Sequence, residues 1–498
     1  MSVRVRLEPL GRTLEVEPGT PLRDVLFGYG VEFPCGGRGR CRRCRVRVLE
    51  GAAPATADER QILGEAGLAA GWRLACRMEA TTGLALEVAQ WEASIIGDDS
   101  PFAFTPRDGF GVAVDVGTTT LVAQLVDLRT GSVLAVRSAL NPQAAHGADV
   151  MTRVQFALSA GGRERLRDLI RVETGRMVAE MVAETSPGNA PGLVTLVGNT
   201  VMHHLFCDLD VASLAAAPFV PTDQGPRSFR PRDLGWDLGA ETEVRFLPWL
   251  GGFVGSDVGA GIAAARIAES DSLVGLIDLG TNGEIVLGTR DRLLCASAAA
   301  GPAFEGGRIS CGMRAATGAI SEVSLSDGQL ACHALGGGEA RGICGSGLVD
   351  AVSCGLELGR IRPDGGLADR RPFALTPTVS LLQSDIREVQ LAKAAIAAGV
   401  RILLKRLGAT HRDVHRLHVA GAFGNYINRE SASRIGLLEF PPEVIEPAGN
   451  TALLGAKLAL FDPTGPSASA IKVEHVPLAT DPEFQDIYVD SMRFPDRA

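Results

Sequence analysis

The 498-residue chain lacks any apolar run approaching the ~18 residues of a membrane span, and its first segment, "MSVRVRLEPL", has no apolar targeting core. A soluble, cytoplasmic protein without a membrane partner is expected. Positive charge is not in excess. The net charge is −9, which argues against nucleic acid as a general partner. Aromatic residues are only 5% of the chain while glycine numbers 60, a balance that suits an α/β protein with many tight turns. The 10 cysteines form no even disulfide framework, as expected in a reducing compartment. A second Cys-x2-Cys pair, the usual mark of a structural zinc site, is missing too.

What is there is concentrated in "PCGGRGRCRRC", residues 34–44, where Cys35, Cys41 and Cys44 are followed much later by Cys76. Three thiolates on one wrapping loop and a fourth returning from afar are the ligand pattern of an iron–sulfur cluster. The first gap is one residue longer than in the plant-type spacing. Gly36, Gly37 and Gly39 suit backbone that must pass close to inorganic sulfide. Around the loop, "VRVRLEPLGRTLEVEPGT" reads as two alternating strands turning at Gly11. "PLRDVLFGYG" reads as a short helix, and "CRVRVLEG" and "LALEVAQW" as a third and a fourth strand. This order resembles a ferredoxin β-grasp domain, over residues 1–93, and the resemblance implies a [2Fe–2S] cluster. Six arginines, from Arg38 to Arg47, crowd the loop and read either as a solvated face or as a docking patch for an acidic partner. Residues 94–108, with two prolines and acidic polar content, read as a linker.

The remainder carries an internal repeat. "GVAVDVGTTTLVAQLVDLRTG" and "LVGLIDLGTNGEIVLGTRDR" each take an apolar strand to Asp-x-Gly-Thr, turn, and leave on a second apolar strand. Two such hairpins suggest two similar lobes facing each other across a cleft, 109–268 and 269–498. Turn amides at Gly117 and Gly280, with the side chains of Thr118, Thr119, Thr281 and Asn282, can donate to phosphate oxygens. Asp115 and Asp278 can hold a hydrated Mg²⁺ that travels with the nucleotide. A third glycine turn, "LHVAGAFGNYI", offers Gly421 and Gly424 and then a helix. These elements, in this order, resemble the phosphate-1, phosphate-2 and adenosine motifs of the superfamily of sugar kinases, actin and the seventy-kilodalton chaperones. That likeness implies a two-lobed actin-like ATPase fold binding ATP, and it matches Asp257 to the position that orients the attacking water.

An ATPase is redundant for downhill electron transfer from a centre near about −400 mV, so the acceptor should be harder to reduce than the donor. The stretches "CGGRGRC", "DVGTTT", "LVGNTVMHHL", "DLGTNGEI", "GPAFEGG", "GICGSGLVDAV", "DIREVQLAKAAI" and "VAGAFG" resemble the reductive activators of corrinoid proteins. The resemblance implies ATP-dependent delivery of one electron to the Co(II) corrinoid of a methyltransferase system, restoring Co(I). It also implies an upstream reductase or ferredoxin and allows a homodimer. The other readings are an ATPase-coupled donor to another low-potential acceptor, as in dehydratase activators, and a nucleotide-sensing ferredoxin without turnover. "GGGEARGICGSGLVDAV" reads either as a glycine turn capping a helix or as part of the nucleotide pocket. Of the consecutive His203 and His204, one is expected inside and one at the surface, within approach of cobalt in a complex. The six cysteines from Cys207 to Cys354 read as small buried hydrophobes.

Overall fold

The computed structural model describes residues 2–8, 12–26, 31, 44–88, 104–185, 189–216, 219, 221, 225–315, 318–326, 328–335, 339–424, 427–462 and 473–496. The turn at Gly11, the ligands Cys35 and Cys41, the arginines from Arg38 to Arg43 and most of the expected linker lie outside the described residues.

Strict alternation in Val3–Glu8 buries Val3, Val5 and Leu7 and leaves Arg4 and Arg6 in water, where they pair with Glu15 and Glu50. This strand sits inside a sheet of five, in the order Arg12–Val16, Val3–Glu8, Leu84–Val88, Arg45–Glu50, Trp72–Leu74. Val3–Glu8 and Leu84–Val88 run parallel, the crossover that defines a β-grasp. Sequence patterning anticipated four of these strands. It missed the three-residue strand Trp72–Leu74, too short to show a period, and the helix Ala57–Ala69 before it. That helix starts at a capping box: Thr56 Oγ1 accepts from Glu59 N–H while Glu59 Oε2 accepts from Thr56 N–H at 2.7 Å. Glu59 is buried because its other oxygen accepts from Leu74 N–H at 2.7 Å, tying helix to edge strand.

The larger part is built twice. The first sheet runs Arg227–Phe229, Glu243–Phe246, Leu193–Val197, Phe110–Val116, Thr120–Asp127, Val133–Leu140. The second runs Ile445–Pro447, Arg416–Ala420, Val274–Leu279, Gly283–Thr289, Arg292–Ala298, Val473–His475. In both, three antiparallel strands continue into a parallel neighbour. In the first sheet that neighbour is the fully buried apolar run "LVTLV", without alternation because both faces of the sheet are covered. Long helices, Gly162–Thr185 and Gln383–Leu407, cover the hairpin strands of their own sheets. Between the lobes, Ser256–Ala264 touches a strand of each sheet, and Thr451–Phe461 packs on it and on the first sheet. This is the two-lobed actin-like fold. Among the described residues no helix is long and apolar enough to cross a membrane.

The β-grasp unit touches the second lobe through charge. Arg341 Nη2 lies 2.9 Å from Glu87 Oε1, and Arg45 Nη2 donates to Arg341 O at 3.0 Å. Arg45 also lies over the Trp72 ring, and Arg47 pairs with Glu87 at 3.5 Å. These two members of the arginine group are therefore engaged within the chain itself.

Candidate active site: a thiolate pair and a cleft of two phosphate turns

Cys44 precedes the strand Arg45–Glu50, and Cys76 lies in the 3-10 turn Ala75–Arg77 that ends the neighbouring strand. The pairing Arg45↔Leu74, continued by Ala75 N–H donating to Cys44 O at 2.8 Å, places the two thiols side by side. Their Sγ atoms are 3.4 Å apart and neither is in a disulfide. That separation lets both thiolates bind one tetrahedral metal, so the described half of the ligand set fits an iron–sulfur cluster. Cys44 is fully buried and Cys76 partly so.

Between the lobes lies a cavity of about 280 Å³. It is lined by Asp115, Gly117, Thr118, Thr119, Asp257, Asp278, Gly280, Thr281, Asn282 and Gly421, all named from the sequence. Gly424 is not among the lining residues. A Cβ there would press on Val419 Cγ1 at 2.9 Å, so this glycine serves helix-to-strand packing. Gly421 has φ +86, and a Cβ on it would sit 2.5 Å from Asp278 Oδ1. Only glycine leaves room for that carboxylate.

The turns are held from behind. Arg153, fully buried, donates through Nη2 to Thr118 O at 2.5 Å and through Nε to Gly147 O at 2.9 Å, placing a cation beneath the first turn. Asn199 Nδ2 donates to Thr118 Oγ1 at 2.8 Å, and Asn450 Nδ2 to Asp115 Oδ2 at 3.0 Å. Each asparagine also caps a helix, accepting from Met202 N–H or Leu453 N–H. Sequence reasoning missed both. The signal was available in a second repeat, Gly198-Asn199-Thr200 and Gly449-Asn450-Thr451. Glu284 and Glu305, also in the lining, were missed because each is a lone acid in a motif read for its glycines.

Burial dominates the electrostatics. It pushes Asp115 up to about 6, against the hydrogen bond from Asn450. Burial and the charge of Asp115 raise Asp278 to about 7. Burial, offset by Val258 N–H and reinforced by Asp115 and Asp278, raises Asp257 to about 8. Glu284 is raised as well, by burial and then by Asp257 and Asp278. Four acids that resist ionising together describe a place awaiting positive charge. For stability the sign is unfavourable. The folded chain holds protons that the unfolded chain, with aspartates near 3.8, has released. The contribution of Asp115 and Asp278 is therefore lost as pH rises from about 4 to about 7. The nucleotide-free ATPase lobes should lose thermal stability across that window, and Asp278→Asn should flatten the slope. Identical slopes in calorimetry would refute the assignment.

His203 and His204 are both buried, at 1% and 0% exposure, against Phe246 and Trp249. The expected surface histidine is thus absent, because the helix Thr200–Cys207 is covered on every side, and neither ring can approach a partner's cobalt. Cys207, Cys295, Cys344 and Cys354 are buried as expected, but Cys311 and Cys332 are only partly so. The stretch "GICGSG" does both things considered for it: it turns into the helix Gly345–Glu357, with Cys344 at the N-cap position and no side-chain cap, and Cys344, Gly345 and Ser346 line the cleft.

Comparison with known proteins agrees with this geometry. Residues 5–81 match the 2Fe-2S iron-sulfur cluster binding domain, 110–270 the RACo middle region, and 272–498 the C-terminal ASKHA domain of RACo. The chain is 34% identical over 422 residues to the corrinoid activation enzyme RamQ of Eubacterium limosum, covering 78% of this chain and 70% of that one. It belongs to the family of corrinoid-activating enzymes. The activator is also 28% identical to the [Co(II) methylated amine-specific corrinoid protein] reductase of Methanosarcina barkeri, over 77% of each chain. A solved reductive activator for corrinoid,iron-sulfur protein superposes with a TM-score of 0.70 at 26% identity, covering 99% of this chain and 98% of that one.

Proposed function

We propose that the activator delivers one electron at a time to the Co(II) corrinoid of a methyltransferase system, restoring Co(I), with ATP bound between its lobes. The observation that carries this reading is the presence in one chain of the Cys44–Cys76 thiol pair and a cleft faced by two phosphate turns. The relatives' names supply the acceptor. A [2Fe–2S] cluster bound by Cys35, Cys41, Cys44 and Cys76 supplies a one-electron carrier. The chain's own residues do the rest. Thr118, Thr119, Thr281 and Asn282 donate to phosphates, and Asp115, Asp257 and Asp278 face the cation that accompanies them. Among the described residues no three His, Cys, Asp or Glu side chains are arranged to ligate a bare ion. A hydrated Mg²⁺ would be held through its waters and the phosphates. An upstream reductase or ferredoxin in the cytoplasm would refill the carrier.

The test mixes the purified activator, a low-potential reductant and a Co(II) corrinoid protein, and follows the Co(I) absorption band. Sustained Co(I) formation should need both the activator and ATP. Co(I) appearing at the same rate without ATP would leave the ATPase lobes without a part in activation.

A further inference from the structure

Two carboxylates enter the cleft from outside both phosphate hairpins, Asp257 and Glu305. The 3-10 turn Ala303–Glu305 follows the strand Arg292–Ala298, and several independent contacts fix its position. Glu305 N–H and Gly307 N–H both donate to Pro302 O, at 3.1 and 2.7 Å, and Gly306 ends the turn at φ 75. Phe304 stacks on Phe423 with centroids 4.9 Å apart and planes 5° from parallel. Behind it the turn meets the start of the helix Gly345–Glu357 so closely that a Cβ on Gly345 would lie 1.9 Å from Phe304 O.

This anchored turn delivers Glu305 to one place. Its Oε2 accepts from Thr281 Oγ1 at 3.0 Å and from Thr119 Oγ1 at 3.4 Å, and the two hydroxyls are 3.5 Å from each other. Thr119 belongs to the turn of the first lobe and Thr281 to that of the second. Two hydroxyls this close, one from each lobe, mark where a terminal phosphate is shared between the lobes. A carboxylate cannot be a phosphate ligand there, since both are anionic. Once nucleotide binds, the single hydrogens of Thr119 and Thr281 turn from Glu305 to the phosphate, and the species left to offer the carboxylate a hydrogen bond is the attacking water. Asp257 is differently placed. Its Oδ1 accepts from Val258 N–H at 2.8 Å, and its charge interacts with Asp115 and Asp278, so it stands with the group that faces the cation.

Resting on the ATPase reading above, we propose that Glu305 is a catalytic residue that orients the attacking water and accepts its proton. The water oxygen bonds to the terminal phosphorus. The bond from that phosphorus to the bridging oxygen breaks, and its electron pair leaves with ADP. One water proton passes to the Glu305 carboxylate, and the other stays on inorganic phosphate as its hydroxyl. The charge of Arg153, held beneath the first turn, interacts with that of Glu305.

The experiment compares the full chain with Glu305→Gln, Glu305→Asp and Asp257→Asn. It measures single-turnover and steady-state ATP hydrolysis, equilibrium affinity for a fluorescent ATP analogue, and the visible spectrum of the cluster. Glu305→Gln should lower kcat by about 10²- to 10³-fold. Its nucleotide affinity should stay within about threefold of the parent, a split that removal of a transition-state contact produces and misfolding does not. Glu305→Asp should recover part of the rate. Retained kcat with ATP bound about tenfold tighter would make Glu305 a competitor for the phosphate seat only, overturning the proposal. Loss of affinity in both Glu305 variants would reduce it to a clasp between lobes. A block in Asp257→Asn with full activity in Glu305→Gln would move the role to Asp257. A parent chain that hydrolyses no ATP, alone or with a corrinoid protein, would instead sink the reading on which this rests.

Discussion

Cys76→Ser is expected to abolish the visible charge-transfer absorption of the activator and all electron delivery to cobalt, while leaving ATP binding intact. The reason lies in the donor chemistry. A thiol ionises near pH 8.5 and more readily beside a metal, whereas an alcohol does not, so serine replaces a thiolate ligand with a poor one. Cys76 sits 3.4 Å from Cys44, and both are needed on the same side of the group they hold. Cys76 packs only at the margin of the β-grasp core of Val5, Leu7, Leu22, Leu74 and Leu86, and the ATPase lobes have cores of their own. Cys41→Ser should behave identically. The measurement is iron and sulfide content with the absorption spectrum after anaerobic reconstitution, alongside nucleotide titration. Stoichiometric zinc and no iron in the parent protein would overturn the cluster assignment.

Asp278→Asn should have the second largest effect, and in two directions. Asp278 is part-buried at a strand end and faces the cleft, with Gly421 shaped around its Oδ1. Neutralising it removes charge that would offset the proposed Mg²⁺ and so weakens a contribution worth on the order of several kcal/mol to phosphoryl transfer. At about 1.4 kcal/mol per decade, ATP hydrolysis and ATP-dependent Co(I) formation should fall by about 10²- to 10³-fold. The cluster spectrum and its reduction by dithionite should not change. Without nucleotide, however, the variant should be the more stable above pH 7, since an ionised buried carboxylate has been removed at constant shape. Asp115→Asn should resemble it in activity. Its gain in stability should be smaller, because Asn450 already donates to Asp115 and holds its pKa closer to the ordinary range. Unchanged hydrolysis in both variants, measured by phosphate release, would make the repeated Asp-x-Gly-Thr hairpin a structural duplication alone.

Local chemistry was readable along the chain wherever one short segment carries it. The cysteine spacing from Cys35 to Cys44, the two Asp-x-Gly-Thr hairpins and the apolar strands leading into them need only neighbours in sequence. Their geometry is dictated by glycine turns and strand periodicity. The helix Ala57–Ala69 escaped notice because an internal Gly64 at φ 72 breaks its period, and Trp72–Leu74 because three residues show none. Burial depends on the rest of the fold and could not be read this way. His203 and His204 look alternately placed on a helix, yet both are inside because that helix is covered all round. Asp115, Asp257 and Asp278 are legible as site residues and Glu284 is not, but the raised pKa values of all four exist only because folding brings them together away from water. Glu305 is the extreme case. It is one acid in a glycine-rich stretch, and its meaning comes from Thr119 and Thr281, which belong to opposite lobes. Sequence by itself determined which groups the activator carries, because ligand type and turn chemistry are local. Tertiary structure decided which of them share a site and a charge state, because distance and desolvation are properties of the closed cleft.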